Sequence, residues 1–313
     1  MFEDKKSIAF VEQSFARGLD VVCLSIVQTQ GSTYQKAGTT MFVNSAHEMM
    51  GVLSGGCIEE ALLQCCDEVL SKRHGKIVTH DLRLADDSKQ SWEEGVGCNG
   101  MISVWLEPFF HDEQYGALYE VLLRSKHGLK TTLVYRLGAS AVAQTTASSL
   151  AFDNDAKTLH LPVLPSLRLL IVGIGSAVQA MVDMANILGW TTLVCDTRAH
   201  ELSLIQGSDK TLALSDAHDF EKLLERESFD ACAIMSHQFK NDLAYMHASL
   251  ASHTPYIGLL GSKERTRKLV EFLGTDAMID ERFQAPIGLS IGAKSPQAIA
   301  LSICAQIESL RER

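Results

Sequence analysis

The stretch of sequence that decides the fold is residues 167–196, which read LRLLIVGIGSAVQAMVDMANILGWTTLVCD. An apolar run of strand length ends at Gly173 and Gly175, and the apolar residues that follow recur with the period of a helix. Gly189 stands where a helix commonly ends, and a second apolar run ends at Asp196. This order of strand, glycine turn, helix and strand predicts a βαβ unit of the dinucleotide-binding type.

The glycine turn of this unit is suited to an anionic group. Gly173 and Gly175 would let the backbone close on a phosphate at the helix N-terminus, where unpaired N–H groups and the helix dipole attract anions. Asp196, about 20 residues further on, would accept hydrogen bonds from a ribose-like diol. The motif is incomplete, because its third glycine position holds Val178. An α/β unit that binds no phosphate is the alternative, since the fold does not require a nucleotide.

The composition narrows the class of protein. The chain has 313 residues, of which 46% are hydrophobic, and a formal net charge of −10. These values predict about two domains with sizeable cores, and they argue against a broad nucleic-acid-binding surface. Mean hydropathy is +0.05, and no apolar run is long enough to span a bilayer. We therefore expect neither nucleic acid nor a membrane as a partner.

The eight cysteines indicate a reducing compartment. They form no Cys-x-x-Cys pair, and no Cys/His cluster has the spacing of a zinc site. The first residues of the chain lack the apolar core of a secretion signal, so we expect a cytoplasmic protein. Four of the cysteines lie within apolar runs, where a free thiol behaves as a small hydrophobe: Cys23, Cys195, Cys232 and Cys304.

The two halves of the chain have different patterns. Residues 1–160 hold many short strand candidates and few helices, which predicts an N-terminal α+β domain. Residues 161–313 alternate strands with helices, which predicts a C-terminal Rossmann-like domain with a doubly wound parallel sheet. The expected fold class is α/β. The strand candidates of the second domain are 167–172, 190–195, 211–214, 230–235 and 255–260.

The first candidate binding residues of the first domain lie in a polar loop. It begins at Gly31 and reads GSTYQKAG. The hydroxyls of Ser32 and Thr33 and the cation of Lys36 would suit an anionic group. An ordinary solvated loop is the alternative interpretation.

Two further loops of the first domain combine glycine with cysteine. Gly55 and Gly56 can take dihedral angles that other residues avoid, and they place Cys57 near a helix N-terminus, where the dipole lowers the pKa of a thiol. The alternative is that Cys57 only packs. Cys98 lies between glycines in the segment GVGCNG, together with Asn99, which leaves its thiol uncovered. A tight turn is the alternative there.

Polar residues follow two later strands of the second domain. His237 comes directly after the strand candidate at 230–235, and Gly261 and Ser262 follow the one at 255–260. Ligands of open α/β sheets bind at the carboxyl ends of the strands, so these residues should lie on one edge with Gly173 and Asp196. A lone histidine is commonly structural, which is the alternative for His237. Arg265 and Arg267 are either a solvated helix face or phosphate partners.

These same segments resemble the XdhC/CoxI family, the maturation factors of xanthine dehydrogenase and related molybdenum hydroxylases. The chain departs from the family pattern in three places: Lys36 is the cation where an arginine is frequent, Ser176 stands where a histidine is frequent, and Ser290 replaces an aspartate. The matching segments are 31–34, 54–59, 97–100, 173–175, 196–198, 236–237, 256–262, 286–293, 295–296 and 299–303.

The resemblance implies a chaperone without turnover of its own. Such a protein would bind the molybdenum cofactor, protect it while its terminal sulfur is installed, and deliver it to an apo molybdenum hydroxylase of the xanthine dehydrogenase type. A cysteine desulfurase would be a further partner, and the chain would form a homodimer. The implied cofactor-binding residues are Gly31, Ser32, Thr33, Lys36, Gly55, Gly56, Cys57, Cys98, Asn99, Gly173, Gly175, Ser176, Asp196, Arg198, His237, Gly261 and Ser262.

Two questions stay open at the level of the sequence. Cys57 and Cys98 should lie close to one ligand pocket at the junction of the two domains, and either thiol could meet the molybdenum end of the cofactor. The function also has alternatives: an oxidoreductase that uses NAD(P) through the Rossmann unit, or a non-catalytic interaction protein that retains the fold.

Overall fold

The computed structural model describes residues 5–56, 58–81, 100–146, 149–273 and 280–311. The chain forms two compact units, Met1–Ser166 and Leu167–Arg313. The sequence placed the domain boundary after residue 160, whereas the last strand of the first unit, Thr158–Val163, continues beyond it. That strand pairs with Thr131–Arg136 inside the first unit, so the contacts divide after Ser166. No helix in the described ranges has both the length and the apolarity to cross a bilayer.

The first unit contains two antiparallel sheets. The five-stranded sheet has the order β3-β2-β1-β5-β4, and the four-stranded sheet has the order β7-β6-β9-β8. Its elements are α1 (Lys5–Ala16), β1 (Val21–Gly31), β2 (Thr40–Asn44), β3 (Met49–Met50), α2 (Glu59–Lys72), β4 (Lys76–Asp81), β5 (Gly100–Phe109), α3 (Gly116–Lys126), β6 (Thr131–Arg136), β7 (Ala139–Gln144), β8 (Ala151–Asp153) and β9 (Thr158–Val163).

Strand β5 contributes to two different cores of the first unit. Its residues alternate in direction, as those of a strand must. Val104 and the β5 residues that face the same way pack with Leu62 of α2 on one face of the five-stranded sheet. Trp105 packs with Tyr135 of the four-stranded sheet on the other face, with ring centroids 5.9 Å apart. The two sheets and α2 are therefore stacked in layers, which confirms the α+β character expected of this half.

The second unit is a doubly wound parallel sheet. Its strand order is β12-β11-β10-β13-β14-β15, which is the Rossmann order 3-2-1-4-5-6. The predicted fold class is thereby confirmed. Its elements are β10 (Arg168–Val172), α4 (Ser176–Leu188), β11 (Thr191–Asp196), α5 (Ala199–Leu202), β12 (Lys210–Ala213), α6 (Ala217–Arg226), β13 (Ala231–Ile234), α7 (Phe239–Ala251), β14 (Tyr256–Leu259), α8 (Lys263–Leu273), β15 (Phe283–Gln284) and α9 (Pro296–Arg311).

Helices cover both faces of the parallel sheet. Met181 of α4 and Ile303 of α9 share one buried cluster with Ile171. Phe220 of α6 and Tyr245 of α7 share the other buried cluster. Because both faces are covered, the strand sequences are almost continuously apolar, and the polar residues are confined to the strand ends.

Candidate functional site

The turn after β10 uses its two glycines for different reasons. The N–H of Gly173 donates to the Cys195 carbonyl at 2.9 Å, and a Cβ on Gly173 would collide with the carbonyl oxygen of Met235. At Gly175 a Cβ would meet nothing within 4 Å, but φ is +101°. Gly173 is therefore required by close approach to the end of β13, and Gly175 by its backbone conformation.

Gly175 is also the N-cap of α4. No side chain of the described residues caps this helix, and Gly175 and Ser176 are exposed. The first N–H groups of an α-helix lack partners within the helix. The start of α4 can therefore hold an anion through its backbone, as the glycine motif predicts.

Asp196 is paired with an arginine at the end of β11. The carboxylate is 2% exposed. Arg198 Nε lies 2.7 Å from Asp196 Oδ1, and Arg198 Nη2 lies 2.8 Å from Oδ2. This bidentate contact raises the pKa of Arg198. The group that this strand end presents to solvent is thus the Arg198 guanidinium, whose side chain is 32% exposed. The sequence predicted instead that the Asp196 carboxylate would accept hydrogen bonds from a diol.

A second arginine–carboxylate pair lies at the same edge. Asp242 of α7 is fully buried. It accepts a hydrogen bond from Ser236 Oγ at 2.5 Å, and it forms an ion pair with Arg265 Nη2 at 2.6 Å. Nε of Arg265 and the hydroxyl of Thr266 are buried and have no partner among the described residues. Arg265 is therefore held by a structural contact and keeps unused donor capacity.

The backbone at His237 is in an uncommon conformation. His237 has φ of +58° and is exposed, and positive φ is unfavourable for residues with a Cβ. The following N–H, of Gln238, donates to Ser236 Oγ at 3.2 Å, which holds the turn. Left-handed residues that are fixed in this way occur frequently at functional sites.

The turn after β14 completes this edge. Ser262 Oγ accepts a hydrogen bond from the Arg265 N–H at 3.2 Å, as an N-cap residue of α8 does. A Cβ on Gly261 would lie 3.3 Å from Arg265 Cδ. Gly261 and Ser262 therefore position Arg265, and the structure brings all the predicted residues of the second unit to the carboxyl ends of β10, β11, β13 and β14.

Sequence reasoning missed two residues of this edge. Asp242 holds Arg265, and the Phe239 ring meets the Phe272 ring edge to face at a centroid distance of 5.6 Å. The guanidinium of Arg265 lies 5.9 Å from the Phe239 ring. The signal that could have identified Asp242 is an acid in the first turn of a helix that directly follows a polar strand end.

In the first unit, Glu59 organises the Ser-Gly-Gly loop. Its carboxylate accepts hydrogen bonds from the backbone N–H groups of Ser54, Gly56 and Ile58 at 2.9, 3.0 and 3.2 Å, and from the Ser54 hydroxyl. Desolvation opposes ionisation of Glu59, but these donors together lower its pKa to about 2. The carboxylate is therefore charged and fixes the loop before α2.

The three predicted loops of the first unit lie against one another where the structure describes them. The ring of Tyr34 lies 3.6 Å from the position of a Cβ on Gly55. A Cβ on Gly100 would lie 2.5 Å from the Ser32 carbonyl and 2.8 Å from Thr33 Cγ2. Close approach therefore requires glycine at position 100. Of the other predicted residues, Gly31, Lys36 and Gly56 are exposed, whereas Cys57, Cys98 and Asn99 lie outside the described residues.

A groove opens beside this loop cluster within the first unit. Its volume is about 930 Å³. Gln28 and Met101 line one end, next to the cluster, and Gly75 and Gly138 line the other end. Thr79 and Ser103 contribute hydroxyls along its length, 2.9 Å apart. The groove is thus large enough for a drug-sized organic ligand.

The described residues contain no cluster of three or more metal-ligating side chains. Their cysteines are free thiols, and four of the six are the buried strand and helix residues expected to act as small hydrophobes. It stays a prediction that the thiol of Cys57 or Cys98 lies next to the metal of a bound cofactor.

Comparison with known proteins agrees with this architecture. The XdhC and CoxI family matches residues 14–81, and the XdhC Rossmann domain matches residues 169–307. The fold is that of a two-unit α/β protein with a C-terminal Rossmann domain. The chain belongs to the XdhC/CoxI family.

Relatives match along nearly the whole chain. A protein of Bacillus subtilis (strain 168), described as a probable xanthine dehydrogenase subunit, is 29% identical, with 94% of both chains covered. The molybdenum cofactor insertion chaperone PaoD of Escherichia coli (strain K12) is 23% identical over 99% of this chain and 89% of its own. The crystal structure of a xanthine dehydrogenase from Bacillus halodurans has a TM-score of 0.82 at 28% identity, with 98% and 96% of the two chains covered.

Proposed function

We propose that this protein is a chaperone whose cargo is the molybdenum cofactor. It binds the cofactor, protects it while the terminal sulfur is installed, and delivers it to an apo molybdenum hydroxylase of the xanthine dehydrogenase type. The observation that carries the proposal is the carboxyl edge of the Rossmann unit, where an uncapped helix start is accompanied by Arg198 and Arg265. The relationship to a molybdenum cofactor insertion chaperone supports the choice of cargo.

The edge of the second unit fits the phosphate of this cargo. Backbone N–H groups at the start of α4 and the guanidiniums of Arg198 and Arg265 are all donors to anions. In each pair the carboxylate is the more buried partner, and Asp242 is fully buried, so the arginines are the accessible groups. An acidic chain can therefore still bind an anion locally.

The first unit fits the organic and metal ends of the cargo. Gly56 of the loop cluster has open space beside it, and the groove of about 930 Å³ has Gln28 and Met101 at the end next to the cluster. Cys57 and Cys98 would supply thiols to protect the oxidisable end. This assignment predicts that both alanine variants fold normally and retain less cofactor.

An NAD(P)-dependent oxidoreductase is the competing function. With NAD as the dinucleotide, it would need an acidic acceptor for the ribose diol at the end of β11. That acceptor, Asp196, is already engaged by Nε and Nη2 of Arg198. This pairing favours an anion over the diol of NAD at the edge. An arginine there is compatible with the 2′-phosphate of NADP, so NADPH is tested beside NADH.

The partners and the assembly follow from the same proposal. The recipient is an apo hydroxylase, a cysteine desulfurase supplies the sulfur, and the chaperone acts in the cytoplasm as a homodimer. Light scattering tests the assembly directly: the dimer requires about twice the chain mass of 34.3 kDa, and a monomer at micromolar concentration would contradict it.

Retention of the cofactor tests the proposed function. Purified protein is incubated with molybdenum cofactor under anaerobic conditions, desalted, and analysed for molybdenum and pterin. We expect retention by the wild type and a loss of about tenfold in affinity for Arg198→Gln, since a charge-assisted hydrogen bond contributes about 1.5–3 kcal/mol. Arg267→Gln is the matched control, because Arg267 is exposed and pairs with Glu271 on its own helix.

Competition with NADH and with NADPH distinguishes the alternatives. Tight NADH or NADPH binding without molybdenum retention would support the oxidoreductase. Retention of neither the molybdenum cofactor nor a dinucleotide would support a non-catalytic interaction protein.

A further inference from the structure

A buried carboxyl group lies at the far end of β5 from the loop cluster. Glu107 is 4% exposed, although it stands in the apolar strand sequence of β5. Among the described residues its carboxyl accepts one side-chain hydrogen bond, from Trp105 Nε1 at 2.8 Å. Burial raises the pKa of Glu107 to about 7. A carboxylate with this one partner can accept further hydrogen bonds. A buried polar group without sufficient partners costs the folded state free energy.

Glu107 lines a cavity of about 210 Å³ in the first unit. Gly75 lies directly over the carboxyl, because a Cβ at that position would collide with Glu107 Oε2. Glycine at position 75 is therefore required by its close packing against the carboxyl and the β5 backbone. The remaining lining is largely apolar or aromatic and comes from Pro108–Phe110, Tyr115–Ala117 and Gly138–Ala141.

The cations near this cavity are engaged elsewhere. Arg73 pairs with Asp112 at 3.0 Å and with Glu113 at 2.6 Å. Its guanidinium also lies 3.7 Å from the ring centroid of Phe110. In the described part of the chain no cation forms an ion pair with Glu107. The cavity thus presents acceptor oxygens between apolar walls and needs a ligand that brings donors.

We propose that this cavity binds the donor edge of a planar nitrogen heterocycle, of the kind carried by the 2-amino-4-oxo ring of a pterin. Oε2 of Glu107 already accepts from Trp105 Nε1, so Oε1 is the oxygen that would accept N–H groups from such an edge. Phe109 and Tyr115 would pack beside the ring. The inference rests on the proposed function, because a pterin is the organic part of the molybdenum cofactor, and it names the residue that recognises that part.

The direction of the rest of the ligand follows from the neighbouring groove. The cavity and the groove share His74, Gly75 and Gly138. The groove continues from there along the same side of the unit toward Gln28 and Met101, beside the loop cluster. A heterocycle at Glu107 therefore leaves its substituents room to extend along the groove.

A metal-free pterin tests the site without the loaded cofactor. Pterin-6-carboxylate is titrated into the full-length protein, and its fluorescence reports binding. We expect Glu107→Gln to weaken binding at least about tenfold, because the amide NH₂ opposes one ligand donor. Glu120→Gln is the matched control, since Glu120 is exposed, pairs with Arg124 on its own helix and does not line the cavity, and its affinity should be unchanged.

A second variant keeps the test decisive if Glu107→Gln fails to fold. Ala139 is exposed and lines the cavity, so Ala139→Phe should fill the space without disturbing the core, and pterin affinity should fall. Equal pterin binding by wild type, Glu107→Gln and Ala139→Phe, or no binding by the wild type, would overturn the inference.

The outcome for the proposed function is separate. Molybdenum cofactor retained equally by wild type and Glu107→Gln would overturn this site and leave the chaperone function intact. Pterin binding that depends on Glu107, in a chain that retains no molybdenum cofactor, would support the site and overturn the chaperone function.

Discussion

Arg198 reaches from the end of β11 to the end of β13, where its Nη2 lies 3.2 Å from the carbonyl oxygen of Ser236. The hydroxyl of the same serine donates to Asp242, which holds Arg265. Ser236 therefore connects the two arginine–carboxylate pairs of the Rossmann edge. Both guanidiniums are fixed before any ligand arrives, which lowers the entropic cost of binding an anion.

Removal of Arg198 should cost stability as well as binding. Arg198→Met leaves the Asp196 carboxylate buried without its bidentate donor. We expect the free energy of unfolding to fall by about 1–3 kcal/mol, the cost of an unsatisfied buried acceptor. Urea unfolding measures this change. In a double-mutant cycle with Asp196→Asn, additive effects would show that the pair is energetically uncoupled and would contradict the prediction.

The two glycines of the turn should respond differently to alanine. Gly173→Ala forces a Cβ onto the Met235 carbonyl, so we expect a loss of at least about 3 kcal/mol, among the large single-residue effects. Gly175→Ala meets open space, and its cost comes from the backbone conformation, with φ +101° and ψ −174°, which amounts to about 1–3 kcal/mol. Thermal unfolding ranks the variants, and similar melting temperatures would contradict the argument.

Glu59 should make the first unit sensitive to acid. Its folded pKa of about 2 lies below the ordinary 4.5, so its contribution to stability is present above pH 4.5 and is lost as the pH falls through about 2. The carboxylate is partly solvated, so we expect only about 1 kcal/mol. Glu59→Gln should lower the melting temperature at pH 7 and flatten the acid limb. Glu60→Gln, next to it and exposed, should change neither.

Glu107 should produce the opposite pH dependence. Its folded pKa of about 7 lies above the ordinary 4.5, so its contribution is fully present below pH 4.5 and is lost as the pH rises through about 7. The loss amounts to about 3 kcal/mol at most. The ionisable neighbours, Cys23 opposite Glu107 on β1 and Tyr135 on β6 of the other sheet, have raised pKa values themselves and stay neutral in this range.

The matched measurement is the stability difference between wild type and Glu107→Gln across this pH range. It should shift in favour of the variant as the pH rises from 5 to 8. A difference that does not change with pH would show that the carboxyl is solvated.

The Rossmann unit could be predicted because its signals are local. The helix period, the glycines before α4 and the apolar strands all lie within residues 167–196, and each acts through its immediate neighbours. By contrast, the sequence gives little indication of β7. Its sequence ASAVAQ has little strand propensity, and its pairing with β6 supplies the stabilisation. Strand β3 ends at Met50, because the chain turns at Gly51, where φ is +98°.

The chemistry of the sites depended on contacts that a sequence does not display. The type and position of Asp196 suggested a free acceptor, whereas its pairing with Arg198 depends on how the turn after β11 folds. Asp242 and Glu107 were missed because burial is a tertiary property. A single acid within the run VWLEPFF was the available signal for Glu107, since a charge in an apolar strand needs a reason.

Strand β5 also constrains how the chain can vary in length. It begins at Gly100 in the loop cluster and carries Glu107 at its other end, and its residues alternate between two cores. An inserted or deleted residue between positions 101 and 106 would exchange the two faces, turning Trp105 toward α2 and Val104 toward the four-stranded sheet. Length changes in related chains should therefore fall outside this segment, so it can anchor their alignment.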